Sequence, residues 1–232
     1  MKSIKSAYRQ PICYNYGSPL FHRHKLSMPP VHQSYTDKGG HMKYPYLSIE
    51  ELLTYIDPAN RAACVRILDE NRDQFESVPG SSGKHQAWPG GYIDHITEVM
   101  NIAVMQYLLY QSLRPLPFNL GDALLVLFLH DLEKPWKYVR YNGGYSILPE
   151  FADKTTQRIF RESKLLEYSF ELTAEQVNAL RYVEGEHTDY STDRRVMNEL
   201  AAFCHICDIA SARIWHNHPA DDDLWSGPRK KR

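Results

Sequence analysis

His130 and Asp131 stand side by side at the end of an apolar run, Ala123 to Leu129, in a chain of 232 residues. An ionised carboxylate there must lose water unless something pairs with it, and a metal ion is a natural partner. Asp208 poses the same problem inside a small-residue, apolar stretch, on the helical face shared by Met197, Ala201, Cys204, Ala212 and Trp215. His95 follows Gly90-Gly91, a turn that permits close backbone approach, and its imidazole can serve a divalent ion. The four residues His95, His130, Asp131 and Asp208 supply two nitrogen and two oxygen ligands from three helices. The expected cofactor is a divalent metal ion, Mn, Fe, Co, Ni, Zn or Mg. Mixed nitrogen and oxygen ligation favours Mn, Fe, Co, Ni or Zn over a pure calcium site.

The elements that must bring these residues together read as helices. Residues 1–46, rich in Tyr, Pro, His and Gly, have no sustained period and are expected to form an irregular arm. Its His22, His24, His32 and His41 match no familiar ligand spacing and read as solvated or packing histidines. Ser48-Ile49-Glu50-Glu51 is a capping box that starts a helix to about Ile56, and Pro58 opens a second through about Phe75. A third, long helix follows Gly90-Gly91, with Ile96, Val99, Ala103 and Tyr107 at three- and four-residue spacing and His95 in its first turn. The fourth runs from an Asn119 cap to His130-Asp131, is apolar all round and therefore central, and Pro135 is expected to stop it. Asn142-Gly143-Gly144 between aromatic and β-branched residues predicts a small hairpin between Trp136 and Leu148. Thr173-Ala174-Glu175-Gln176 is another capping box, and a last long helix is expected from about Thr192 to Trp215. The tail, 217–232, carries Asp221-Asp222-Asp223 and Arg229-Lys230-Lys231-Arg232, charge blocks that usually stay solvated. The expected fold is all-α, with one helical domain over 47–216.

Composition narrows the partners. A net charge of -1 and a pI near 6.8 give no global attraction for nucleic acid, which favours a small or single-stranded substrate over long duplex. Cys13, Cys64, Cys204 and Cys207 are few for this length, and no apolar stretch follows the basic amino terminus, so a reducing cytosol is expected. No apolar run approaches the roughly 18 residues of a membrane span. A homo-oligomer is compatible with the sequence.

The order His, His-Asp, Asp on a helical core resembles the HD superfamily of metal-dependent phosphohydrolases. His85-Gln86-Ala87-Trp88-Pro89-Gly90-Gly91-Tyr92-Ile93-Asp94-His95 is similar to the segment before the first ligand in HD-type 3′ to 5′ exoribonucleases and related bacterial and phage proteins. His130-Asp131-Leu132-Glu133-Lys134-Pro135 is similar to the family's His-Asp-Leu-Gly-Lys-Pro. The likeness spans about residues 84–213 and leaves the arm and tail out. It implies an HD-domain helical bundle and hydrolysis of a nucleotide phosphoester or phosphoanhydride, a deoxynucleoside triphosphate included. The alternatives are phosphodiester cleavage of a single-stranded nucleic-acid end or a cyclic nucleotide, and a noncatalytic nucleotide-binding module.

Roles follow from the ion's chemistry, because a divalent metal lowers the pKa of bound water and polarises a phosphoryl oxygen. Asp131 would ligate and help orient that water. Lys134, one turn beyond His130, either neutralises phosphate charge or is a solvated helix-end lysine. It stands where the nucleotidase branch often has Glu, and Glu133 stands where the family often has Gly. By the resemblance, His187 lies where additional histidines serve substrate or a second metal, with a helix-end histidine as the rival. His85 is then an outer or second-metal residue, and otherwise a loop residue. Trp88 either stacks on a nucleobase or, the favoured reading, packs under the Gly-Gly turn. Cys204-His205-Ile206-Cys207 has the spacing of half a zinc knuckle but lacks a second pair and reads as core.

Overall fold

A computed structural model describes residues 35–36 and 42–229. The four arm histidines lie outside the described residues. What is seen of the arm is a two-residue antiparallel ladder, β1 (Tyr35–Thr36) against β2 (Met42–Lys43). Thereafter the chain is mostly helical: α1 (Ile49–Leu53), α2 (Pro58–Glu70), α3 (Arg72–Ser77), α4 (Gly91–Leu113), α5 (Leu120–Leu129), α6 (Lys134–Lys137), α7 (Lys154–Glu167), α8 (Ala174–Tyr182) and α9 (Glu199–Ile209). The expected hairpin is present as β3 (Tyr138–Tyr141) and β4 (Gly144–Ile147), paired antiparallel, with Asn142 (φ 47°) and Gly143 (φ 78°) turning the corner. No helix among the described residues is long and apolar enough to cross a membrane.

The caps set the helix starts as the side chains dictate. Ser48, Asn119 and Thr173 each accept from the amide three residues on, and each is answered by an acid or amide reaching back to the cap. α5 is the central rod: every residue from Ala123 to Leu129 is fully buried, so that stretch has no solvent face. α4 packs against α5 and α9, and α8 against α9, so that the three site-bearing segments meet. Phe75 on α3 stacks with Phe128 and meets Tyr92 edge-on, closing the core near the start of α4.

Three helix boundaries depart from expectation, and so does the tail. The second helix breaks at Asn71, whose side chain bonds the Ile67 carbonyl and the Tyr168 hydroxyl instead of continuing the helix. Pro135 does not end α5; α5 stops at Leu129, and Pro135 lies in the first turn of α6, where its missing N–H is harmless. The last helix starts at an Asn198 cap, not at Thr192, because the Asn198 side chain captures the Ala201 amide. The tail is not simply solvated. Trp225 donates to the Tyr44 carbonyl, Arg229 pairs with Asp221, and residues 216–218 lie against Gln86.

Candidate metal centre

His95 reaches the core because of what precedes it. Gly90 takes φ 79° and caps α4, and a Cβ on Gly91 would lie 1.8 Å from the Gln86 carbonyl oxygen, so only glycine admits this close approach. The His130-Asp131 doublet leaves the end of α5, and Asp208 sits near the end of α9. Beyond Ile209 the helix widens into a π turn, Ala210–Ile214, closed by Trp215 N–H donating to the Ala210 carbonyl. Ser211 is fully buried where Ala212 and Trp215 were expected, and Trp215 is 36% exposed.

The four expected ligands converge. His95 Nε2 lies 3.3 Å from Asp208 Oδ1 and 3.8 Å from Asp131 Oδ2; His130 Nε2 lies 3.2 Å from Asp131 Oδ2 and 3.6 Å from Asp208 Oδ1. His95, His130 and Asp131 are buried, with ligand atoms all within 4.8 Å of one another, and this group could hold a metal ion. Asp208 is the most exposed of the four, its side chain 18% accessible. The imidazole contacts to the carboxylates are charge contacts without hydrogen-bond alignment, and neither buried Nε2 has a hydrogen-bond partner among the described residues. His130 Nδ1 meets the Leu127 carbonyl at 2.7 Å. A carbonyl only accepts, so Nδ1 holds the proton and Nε2 is the atom offered to a cation. Two unpartnered imidazole nitrogens facing two carboxylates fit a divalent ion with mixed ligands.

The charges behave accordingly. Burial disfavours a charged His130, but Asp131 and Asp208 outweigh it and raise its pKa to about 10. Burial works against an ionised Asp131 too, yet Lys134 and His130 hold it well below the usual carboxylate range. Asp208 is likewise pushed up by burial and overruled by His130 and His95. In the metal-free protein a proton on His130 offsets the carboxylates. A divalent cation would replace it, so metal binding releases protons.

Around this cluster the other expected residues are distributed unevenly. Lys134 is buried, not solvated, with Nζ 2.5 Å from Asp131 Oδ2. His85 joins the cluster, its ring centroid 4.9 Å from that of His95; burial, Lys134 and His95 lower its pKa to about 3, so it is neutral. Trp88 is half-buried, donates from Nε1 to Asp94, and has the Arg229 guanidinium 4.7 Å over its ring. His187 begins an exposed 3₁₀ turn at φ 48° and shares no hydrogen bond, ion pair or ring contact with the cluster among the described residues. Glu133 is buried, with Lys137 and Arg161 each 4.0 Å away. Arg161 also donates to the His130 carbonyl, which holds α7 against the doublet.

Sequence reasoning missed Gln86, Glu98 and Ser211, all buried beside His95. Glu98, three residues after His95 on an otherwise apolar face, was the available signal. Burial first, and then the charges of Asp223 and Asp94, raise Glu98 to about 8 against the hydrogen bonds from Ser211 and Gln86. A carboxyl raised in the folded state contributes stability that is complete below its ordinary value of 4.5 and lost as pH rises through about 8. Urea unfolding of metal-free protein should therefore show this contribution falling across that window, and Glu98→Gln should flatten the fall; an unchanged slope would exclude Glu98 as its source.

Comparisons with family models, curated proteins and solved structures give no match.

Proposed function

We propose that this chain is an HD-type metal-dependent phosphohydrolase acting on a phosphoester or phosphoanhydride bond of a nucleotide, deoxynucleoside triphosphates among them. The observation that carries the reading is the convergence of His95, His130, Asp131 and Asp208 from separate helices, with two buried imidazole nitrogens unpartnered. When bound there, a divalent ion of the Mn, Fe, Co, Ni, Zn or Mg group supplies an activated water and polarises a phosphoryl oxygen. The chain's own groups prepare the site for it. With neutral imidazoles, two carboxylates against the Lys134 ammonium leave one net negative charge, which a divalent cation inverts to one positive. That inversion suits a phosphate. Lys134 holds its ammonium beside Asp131, where it can neutralise a phosphate oxygen, and neutral His85 can accept or pass a proton at the rim. A reducing cytosolic setting belongs to the same proposal, with Cys64, Cys204 and Cys207 as free, buried thiols.

Product analysis over nucleotides and short oligonucleotides, with Mn²⁺, Mg²⁺, Co²⁺ and Ni²⁺ supplied separately, tests the proposal. Release of phosphate or pyrophosphate from nucleotides is expected; trimming of oligonucleotides alone would move the activity to phosphodiesters. Metal-replete protein that binds nucleotide and turns over nothing would replace the enzyme with a binding module. Lys134→Ala should keep the metal, since Lys134 supplies no ligand. If its ammonium meets phosphate mainly in the transition state, kcat falls, by roughly 10- to 100-fold for a lost charge-assisted contact of about 1.5–3 kcal/mol. Wild-type turnover in this variant would reduce Lys134 to a structural partner of Asp131.

A further inference from the structure

Gln86 is fully buried at φ 38°, a left-handed conformation that strains a residue with a side chain, and such strain persists only where the surroundings enforce it. Its backbone N–H donates to the His216 carbonyl at 2.8 Å, and its carbonyl accepts from Gly80 and Trp88, each at 2.9 Å. Its side-chain nitrogen faces only acceptors: Glu98 Oε2 at 3.1 Å, the His218 carbonyl at 2.9 Å, Ser211 Oγ at 3.3 Å and the Trp215 carbonyl at 3.4 Å. An oxygen in that place would oppose other oxygens, so the amide orientation is determined. Gln86 Oε1 is left to accept from His85 Nδ1 at 2.8 Å. His85 therefore carries its proton on Nδ1 and keeps Nε2 bare.

The same logic reaches His95. Glu98 Oε2 accepts from Gln86 and from the Ser211 hydroxyl, the latter at 2.5 Å. With its hydrogen committed to Glu98, Ser211 accepts from His95 Nδ1 at 3.1 Å. His95 Nε2 is then a lone pair, facing Asp208 and Asp131. Ser211 continues the buried face of Leu200, Cys204 and Cys207 at helical spacing and stands in the π turn at Ala210–Ile214, a feature that concentrates at functional sites.

We propose that Gln86, Glu98 and Ser211 form one network that sets the tautomers of His85 and His95 together, making Glu98 and Ser211 positioning residues for the metal centre. The effect on metal affinity rests on the metal-site reading above; the tautomers are properties of the metal-free protein. Long-range ¹H–¹⁵N correlation spectra of metal-free protein near neutral pH should show both imidazoles with the proton on Nδ1. Ser211→Ala removes the acceptor, so His95 should become a tautomer mixture while His85 is unchanged. The same variant should bind Co²⁺ about 10- to 100-fold more weakly and shift the visible spectrum of the bound ion. Glu98→Gln, which keeps an acceptor oxygen for Ser211 and Gln86, should retain the wild-type tautomers and affinity. A wild-type His95 protonated on Nε2 overturns the proposal, as does Ser211→Ala with wild-type tautomers and Co²⁺ affinity within about twofold, well short of that loss. Should Ser211→Ala fail to fold, the wild-type spectrum decides alone. Wild-type protein that shows both Nδ1 protons yet binds no Co²⁺ supports the network and overturns the metal-site reading.

Discussion

Asp131→Ala is expected to abolish metal retention and turnover together. Its carboxylate is one of the two anionic ligands of the proposed site, it is 5% exposed, and it lies 3.2 Å from His130 Nε2. Removing it leaves His95, His130 and Asp208, and the loss should exceed the roughly 10- to 100-fold that outer partners give. It also strands Lys134, whose buried ammonium has Asp131 as its ion-pair partner at 2.5 Å. Breaking such a pair from one side costs about 3–5 kcal/mol, so binding must be measured well below the variant's own melting temperature. Equilibrium dialysis with Mn²⁺ or Co²⁺ gives the affinity, and thermal unfolding gives an independent reading. A ligand that binds only the folded state raises Tm with concentration, so wild type should climb with added metal while Asp131→Ala should not. A variant that kept stoichiometric metal at wild-type affinity would remove Asp131 from the ligand set.

Gly91→Ala carries the other large effect, and it acts through main-chain packing, not through a charge. The added Cβ would meet backbone on two sides, the Gln86 carbonyl oxygen at 1.8 Å and the Gly80 nitrogen at 3.0 Å. No rotamer change relieves contacts with main chain. Gly80 and Gln86 are themselves tied by a 2.9 Å hydrogen bond, so the loop over residues 80–91 must move as a unit. The expected loss is more than about 3 kcal/mol, at the upper end of overpacking effects, read as a fall in the urea midpoint. Metal affinity should drop as well, because Gln86 and His95 stand on either side of that contact. Gly83→Ala is the control: a Cβ there meets nothing within 4 Å, and its midpoint should stay near wild type.

Much of this was legible in the chain because the relevant signals are local. The capping boxes at Ser48 and Thr173, the apolar rod ending in His130-Asp131 and the Asn142-Gly143 turn each announce themselves within a few residues. Of the four proposed ligands, His130, Asp131 and Asp208 stood out as ionisable groups on apolar segments and His95 by the Gly-Gly turn before it, and the structure brings the four side chains together. What was not legible depends on partners distant in sequence or on irregular backbone. Ser211 falls on the helical face of Leu200, Cys204 and Cys207, but a lone serine there gives no sign of Gln86 and Glu98, the distant residues it meets. Gln86 looks like an ordinary loop residue until the carbonyls of residues 216 and 218 close over it. The tail's charge blocks gave no hint that Trp225 would dock on Tyr44. His187 was placed by the resemblance, and no local signal tied it to the cluster.

The tail's closure over Gln86 has a consequence for the order in which the protein is made. Gln86 is held by the His218 carbonyl across 132 residues of sequence, and His95 is held by Ser211 across 116. Contacts of such separation form late, after the entropy of closing the intervening loops has been overcome. On a ribosome, α4 and α5 emerge with His95 and His130-Asp131 long before Asp208, Ser211 or residue 218 exist outside the exit tunnel. An ion arriving at the nascent chain meets an incomplete ligand set and unsupported imidazoles. On the proposed reading, full metal affinity is thereby deferred until synthesis has passed residue 218, and a chain released before Asp208 carries the His-Asp doublet without its fourth ligand.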